Sequence, residues 1–199
     1  MKHRVLVACE ESQAVTIAFR ERGFEAFSCD LQECSGGHPE WHFMGDVTKL
    51  LVPGEWSLII AHPPCTYLSK VGSRHLYRGG VLNEERYKLG KDAADFFRMF
   101  YNIDWCRICI ENPTPLHIFG LPPCTQAIEP CYFGHPYKKR TCLWLKGLPP
   151  LYPTCHIVDA IPTSKANWFQ SGGTERQKNR SKTFPGIAAA MADQWGVYV

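Results

Sequence analysis

Residues 4–30 read RVLVACEESQAVTIAFRERGFEAFSCD, and the order of patterns in this stretch decides the fold. Arg4–Cys9 is a short apolar, β-branched run of strand type. Ser12–Arg22 follows with Val15, Ala18 and Phe19 at helical spacing, and Gly23 supplies a stop. Glu25–Cys29 is a second strand, with Asp30 at its end. Strand, helix and strand in this order predict a parallel pair joined by a crossover helix.

The alternation continues outward. Trp56–Ala61 is a third strand running into two prolines. Asn83 is placed to cap a helix over Glu84–Tyr101, with acidic residues in its first turn and an aromatic face of Tyr87, Phe96, Phe97 and Phe100. Arg107–Ile110 is the next strand. Ala127–Phe133 and Thr141–Leu145 flank GHPYKKR and predict an antiparallel hairpin at one edge of the sheet. Residues 146–179, rich in Pro, Gly, Ser and Thr, predict a long loop. The last helix has Thr183 as cap, Pro185 in its first turn, Ile187, Met191 and Trp195 on one face, and Gly196 at its end. The expected fold is α/β, a doubly wound, mostly parallel sheet with an antiparallel edge hairpin, formed by one domain over residues 1–199.

Composition narrows the classes. With 199 residues, 45% hydrophobic and 13% aromatic, the chain can bury roughly 70% of its unfolded surface, which excludes disorder. A net charge of +3 is compatible with a polyanionic partner without demanding one. No window approaches the ~18 apolar residues of a membrane span. MKHRVLVACEES runs straight into a strand with no cleavable leader pattern, so the ten cysteines are expected to be thiols in a reducing cytoplasm, mostly as small buried hydrophobes. The pair Cys106 and Cys109 lies in a strand, where residues three apart face opposite sides, so no structural metal is expected there.

Three chemically capable groups follow strands: Asp30, Cys65 in HPPCTYLS, and Glu111 in IENP. In a doubly wound sheet all three fall on one rim, where ligands bind. Asp30 is suited to ribose hydroxyls of an adenosine-type cofactor, and Asp46 is placed for a further polar contact. Pro63 and Pro64 fix an extended turn that presents Cys65, and His62, Arg74 and Arg78 are cations available to stabilise its thiolate. Glu111, hard against an apolar strand end, is expected to have a raised proton affinity and to act as a proton donor.

Pro-Pro-Cys followed by Glu-Asn-Pro on consecutive strand ends resembles the DNA cytosine-5 methyltransferases. Residues 4–30 resemble the family's cofactor-binding strand, helix and acidic strand end. KKRTCLWL at 138–145 resembles its base-holding segment, and RSKTFPGIAAAMADQW at 180–195 its C-terminal helix. The resemblance implies a Rossmann-like class I methyltransferase fold and S-adenosylmethionine as methyl donor, held by Cys9, Glu10, Ser12, Gln13, Asp30, Leu31, Asp46 and Pro63. It implies DNA as the partner, Cys65 as nucleophile, Glu111 on the N3 edge of cytosine, Asn112 orienting the loop, and Arg140 holding O2. Arg74, Arg78, Lys138, Lys139, Arg176, Lys178 and Arg180 are candidate nucleic-acid contacts.

Three features depart from the family pattern. The turn ACEESQ (8–13) has no glycine, and His62 replaces a small residue before the prolines. The insert at 146–179 stands in place of a target-recognition domain, which implies little or short sequence preference. Compact members of this kind resemble those encoded by bacteriophages and prophages. The same chemistry on RNA or a free cytosine nucleotide, or nucleic-acid binding with little catalysis, are the alternatives.

Overall fold

The computed structural model describes residues 3–163 and 182–199, so the candidates Arg176, Lys178 and Arg180 lie outside the described residues. Eleven strands are present among the described residues: β1 Arg4–Ala8, β2 Glu25–Asp30, β3 His42–Met44, β4 Leu58–Ala61, β5 Tyr77–Arg78, β6 Val81–Leu82, β7 Arg107–Asn112, β8 Gln126–Ile128, β9 Tyr137–Lys138, β10 Thr141–Lys146 and β11 Ile161–Pro162. The main helices are α1 Ala14–Arg20, α2 Glu84–Tyr101 and α3 Pro185–Trp195. Seven strands form one sheet in the order β3-β2-β1-β4-β7-β10-β8. Pairing is parallel from β3 through β7, and β10 is antiparallel to both of its neighbours. This is the doubly wound, mostly parallel arrangement, with an antiparallel piece on one side.

Every residue of β4, and Val5–Ala8 of β1, is fully buried, because helices cover both faces of the central strands. Period-two alternation divides the core. Val5, Val7, Leu58, Ile60, Cys109 and Leu143 pack against Val15 and Phe19 of α1 and Ile187, Met191 and Trp195 of α3. Leu6, Ala8, Ile59, Ala61, Ile108, Ile110 and Trp144 pack against Ala94, Phe97 and Phe100 of α2. Burying each large apolar side chain contributes on the order of 1.5–3 kcal/mol. The two deepest tryptophans also satisfy their N–H groups: Trp195 donates to Pro149 O at 3.0 Å and Trp144 to Pro122 O at 2.8 Å.

Several sequence expectations are corrected. The antiparallel hairpin exists, but β10 lies inside the sheet between β7 and β8, and β8 forms the edge. Its first strand is only Gln126–Ile128, because Pro130 starts a 3-10 turn over Pro130–Tyr132. The loop after β10 contains β11, which pairs in parallel with β9. Thr183 does not cap α3. The cap position is Phe184, which makes no side-chain cap bond, and the Thr183 hydroxyl is directed elsewhere. The Asn83 cap of α2 is present, accepting from Arg86 N at 3.1 Å. All ten cysteines are thiols, four buried, five half-buried and Cys155 exposed, so the apolar role fits fewer of them than expected.

Among the described residues, no helix is long and apolar enough to cross a membrane, and no group of three His, Cys, Asp or Glu could hold a metal ion.

Candidate active site

The strand order reverses between β1 and β4, and at such a switch point the loops leaving two neighbouring strands diverge and open a crevice. Here the loop after β1 is Cys9–Gln13 and the loop after β4 is His62–Cys65. His62 N donates to Ala8 O at 2.9 Å, extending the ladder to the lip of the crevice. A separate cavity of about 460 Å³ beside α1, lined by Arg20, Phe24 and Trp41, shares no residue with this rim.

Cys65 is half-buried at the start of a turn in which its carbonyl accepts from Leu68 N and Ser69 N at 3.1 and 3.0 Å. That turn is joined to the loop after β7. Asn112 Nδ2 donates to Pro63 O at 2.8 Å, Lys70 N to Thr114 O at 3.1 Å, and Leu116 N to Leu68 O at 2.7 Å. Arg86 adds a brace from the first turn of α2, donating to Thr66 O at 3.0 Å and lying 5.0 Å over the Tyr67 ring. A Cβ on Gly72 would come within 2.8 Å of that guanidinium and 3.0 Å of Thr66 O, so a larger residue there would displace the brace. The Pro-Pro-Cys and Glu-Asn-Pro motifs are therefore one unit.

Asn112→Ala leaves the buried Pro63 carbonyl unpaired and is expected to cost about 1–3 kcal/mol. At this chain length that corresponds to a fall in Tm of roughly 2–4 °C per kcal/mol. A melting curve superimposable on that of the parent protein would show that the clamp contributes nothing.

Glu111 faces His62: its Oε2 lies 3.3 Å from His62 Nδ1, with the side chains 12% and 13% exposed. Thr183 Oγ1 donates to the same carboxylate oxygen at 3.2 Å. Burial by itself raises the Glu111 pKa, but the hydrogen bond and charge of His62, the charge of Lys139 and the Thr183 hydroxyl together bring it below its ordinary value. The raised proton affinity expected from its strand-end position is thus reversed. Burial lowers the pKa of His62, and the Glu111 hydrogen bond with the charges of Glu111 and Glu10 outweighs it, so the net direction is upward. Both shifts favour the proton on His62 over Glu111, and His62 is engaged with the glutamate.

A second cation comes from the residues just before β10. Leu143 of β10 pairs directly with Glu111, and Lys139 and Arg140 precede the strand. Lys139 acts on Glu111 and His62, and its Nζ lies 5.7 Å from the Phe184 ring. Arg140 is exposed, and its charge is felt by Cys124 and Glu129. The cation beside the glutamate is Lys139. Lys138 is exposed in β9, Arg78 belongs to β5, and Arg74 Nε donates to the neighbouring His75 ring at 3.0 Å.

The glycine-free turn takes an unusual course. Cys9 and Gln13 adopt φ values of 60° and 57°, the left-handed region that glycine usually occupies. Side-chain bonds hold it there. Gln13 Nε2 donates to His38 O at 2.8 Å and to Ser28 Oγ at 3.2 Å, and its Oε1 accepts from His38 N at 3.1 Å. The buried Glu10 accepts from Val15 N at 2.6 Å and from Thr16 N and Oγ1 at 3.2 and 2.7 Å, closing the start of α1. Their polar atoms serve the chain itself, and the half-buried Ser12 accepts from Ala14 N at 3.5 Å through its hydroxyl.

Beyond it, the Cys9 thiol is pushed up to about 12 by burial and by the nearby charges of Asp30, Cys29 and Asp46. Asp30 Oδ1 accepts from Gln32 N at 3.0 Å, and Asp46 Oδ1 accepts from Thr48 N at 2.9 Å, capping a short 3-10 turn. Leu31, 78% exposed, stands between solvent and the end of β2.

No family model matches the chain. Over 140 residues it is 29% identical to the "Probable DNA (cytosine-5)-methyltransferase" of Frog virus 3 (isolate Goorha), a match covering 64% of this chain. The similarity is to one protein bearing that name. The match spans 62% of the length of that viral methyltransferase. A crystal structure of a "putative DNA modification methyltransferase encoded within prophage Cp" from E. coli overlaps 71% of this chain and 45% of its own, at 14% identity and a TM-score of 0.44. That overlap is loose, and the fold is described by the strand order itself.

Proposed function

We propose that the protein transfers a methyl group from S-adenosylmethionine to C5 of cytosine in DNA through a covalent adduct of Cys65, with little or short sequence preference. The observation that carries this reading is the clamp: the Pro-Pro-Cys turn is tied by Asn112 to the strand end bearing Glu111, at the switch point of the sheet. A thiol and a buried carboxyl on two strand-end loops tied together in this way suit a pyrimidine ring, with the thiol toward C6 and the carboxyl toward N3.

The residues present fit the methyl donor. Asp30 and Asp46 offer carboxylates to ribose hydroxyls or to the cationic end of the molecule, Leu31 offers an exposed apolar surface, and Cys9, Ser12 and Pro63 border the same crevice. S-adenosylmethionine, when bound, supplies an electrophilic methyl group. The chain's own residues do the rest. Cys65 attacks C6, Glu111 presents a proton to N3, Asn112 holds the Cys65 turn, and Lys139 places positive charge beside the carboxyl. Arg140, Arg74, Arg78 and Lys138 are left for phosphates. A cytosine within a duplex must be flipped out before any of these groups can reach it. The single catalytic domain, with residues 146–179 in place of a larger reader, leaves little room for base-edge contacts.

The test is incubation with a labelled methyl donor and duplex DNA, RNA or dCMP in parallel. Label entering duplex cytosine is the expected result. Label confined to RNA or dCMP would move the same chemistry to another substrate, and no label in any arm would leave a nucleic-acid-binding protein.

A further inference from the structure

His62 has a setting that nothing in the Cys65 and Glu111 chemistry requires by itself. It stands between two buried carboxylates from different strand ends, Glu10 after β1 and Glu111 on β7. Glu111 is bonded to its Nδ1 at 3.3 Å. Glu10 acts on it only through charge, because both oxygens of Glu10 are taken by Val15 and Thr16. Lys139, the remaining charged group acting on the ring, opposes its protonation. His62 Nε2 is buried with no partner among the described residues. An imidazolium there holds one N–H well and leaves the other unmet, which keeps its proton transferable.

We propose that His62 is a positioning residue that stores, on the His62–Glu111 pair, the proton that Glu111 must present to N3 of the cytosine ring. The inference rests on the function proposed above and specifies how its acid is loaded. N3 of neutral cytosine is an acceptor, so an ionised Glu111 would oppose it lone pair to lone pair. As the ring enters, the proton passes from His62 Nδ1 to the Glu111 carboxyl and leaves a neutral imidazole. The Cys65 thiolate pair then forms the S–C6 bond, the C5=C6 π pair moves to C4–C5, and the C4=N3 π pair takes the proton from Glu111. One bond to sulfur and one N–H have formed, one O–H has broken, and Glu111 is ionised again. When the C5 proton leaves to a base and the thiolate is expelled, the N3 proton returns to Glu111 and to His62. The role explains why a bulky titratable residue occupies the position before the prolines.

Two measurements test it. The first follows His62 by nitrogen-15 NMR in the ligand-free protein, assigned through bonds from the ring to its own backbone amide. The ring should lose its second proton above the ordinary 6.5, and at lower pH in Glu111→Gln. An unchanged titration in Glu111→Gln overturns the pairing. The second follows the rate of Cys65 adduct formation on a 5-fluorocytosine duplex, with methyl donor present, from about pH 5.5 to 9. His62→Gln keeps a donor for the Glu111 carboxylate but cannot carry the proton. Its alkaline limb should move to lower pH, with a rate near pH 8 roughly 10²-fold below that of the parent. His62→Gln sharing the parent's alkaline limb overturns the assignment while leaving the proposed function intact. A parent protein that traps no fluorocytosine at any pH overturns the function itself. The NMR arm needs only the parent and Glu111→Gln to be folded, so it decides the pairing even if His62→Gln does not fold.

Discussion

Cys65→Ala is expected to abolish methyl transfer, with a fall on the order of 10³-fold or more, because no other group can make the covalent bond to C6. The same variant should fail to trap a 5-fluorocytosine duplex under any condition. Its stability should change by less than about 0.5 kcal/mol, since Cys65 is half-buried and its turn is held by backbone bonds from Leu68 and Ser69 and by Asn112. Loss of activity with an unshifted melting curve therefore assigns the effect to chemistry. A variant retaining a tenth of the parent's activity would refute a Cys65 nucleophile.

The second large effect belongs to Glu111→Gln. It removes the acid and also the counter-charge of a buried imidazolium. Transfer should drop by roughly 10²–10⁴-fold, the range for losing a positioned proton donor. Stability should fall by less than the ~3–5 kcal/mol typical of breaking a buried ion pair, because His62 can shed its proton instead of remaining charged and alone. The pH dependence has a definite sign. Glu111 titrates below its ordinary 4.5, so its contribution is complete above that value and is lost as pH falls through the folded-state value. His62 titrates above its ordinary 6.5, so its contribution is complete below that value and is lost as pH rises through the folded-state value. The pair therefore stabilises the fold most between about pH 4.5 and 6.5. Denaturation midpoints over this range should show a plateau in the parent that Glu111→Gln flattens. A variant with the parent's pH profile would show that the pair is not ionic.

The elements legible in the sequence were those specified locally. β1 and β4 are uninterrupted apolar runs because both faces of a central strand are covered, and Asn83 announces α2 because a cap acts within its own turn. The rim location of Asp30, Cys65 and Glu111 followed from topology alone. What the sequence did not disclose depends on partners distant along the chain. Thr183 has the pattern of a helix cap, yet its hydroxyl is taken by Glu111, 72 residues away. The ionisation of Glu111 was misjudged because burial was weighed without the imidazole from the next strand. That Lys139 acts on Glu111 depends on a contact between residues far apart in the chain, which no local pattern encodes. The missing glycines were plain to see, but that Cys9 and Gln13 would take up their backbone conformation was not.

Thr183 also bears on the order in which the site assembles. On the ribosome, Cys65 and Glu111 emerge long before residue 183, and the apolar side of α1 emerges long before α3, which covers it. Until that last helix docks, the nascent sheet exposes Val15 and Phe19, and its glutamate lacks one of its three stabilising partners. Translation thus delivers the nucleophile first and the completed acid last, and the unfinished chain is the species with most need of a chaperone.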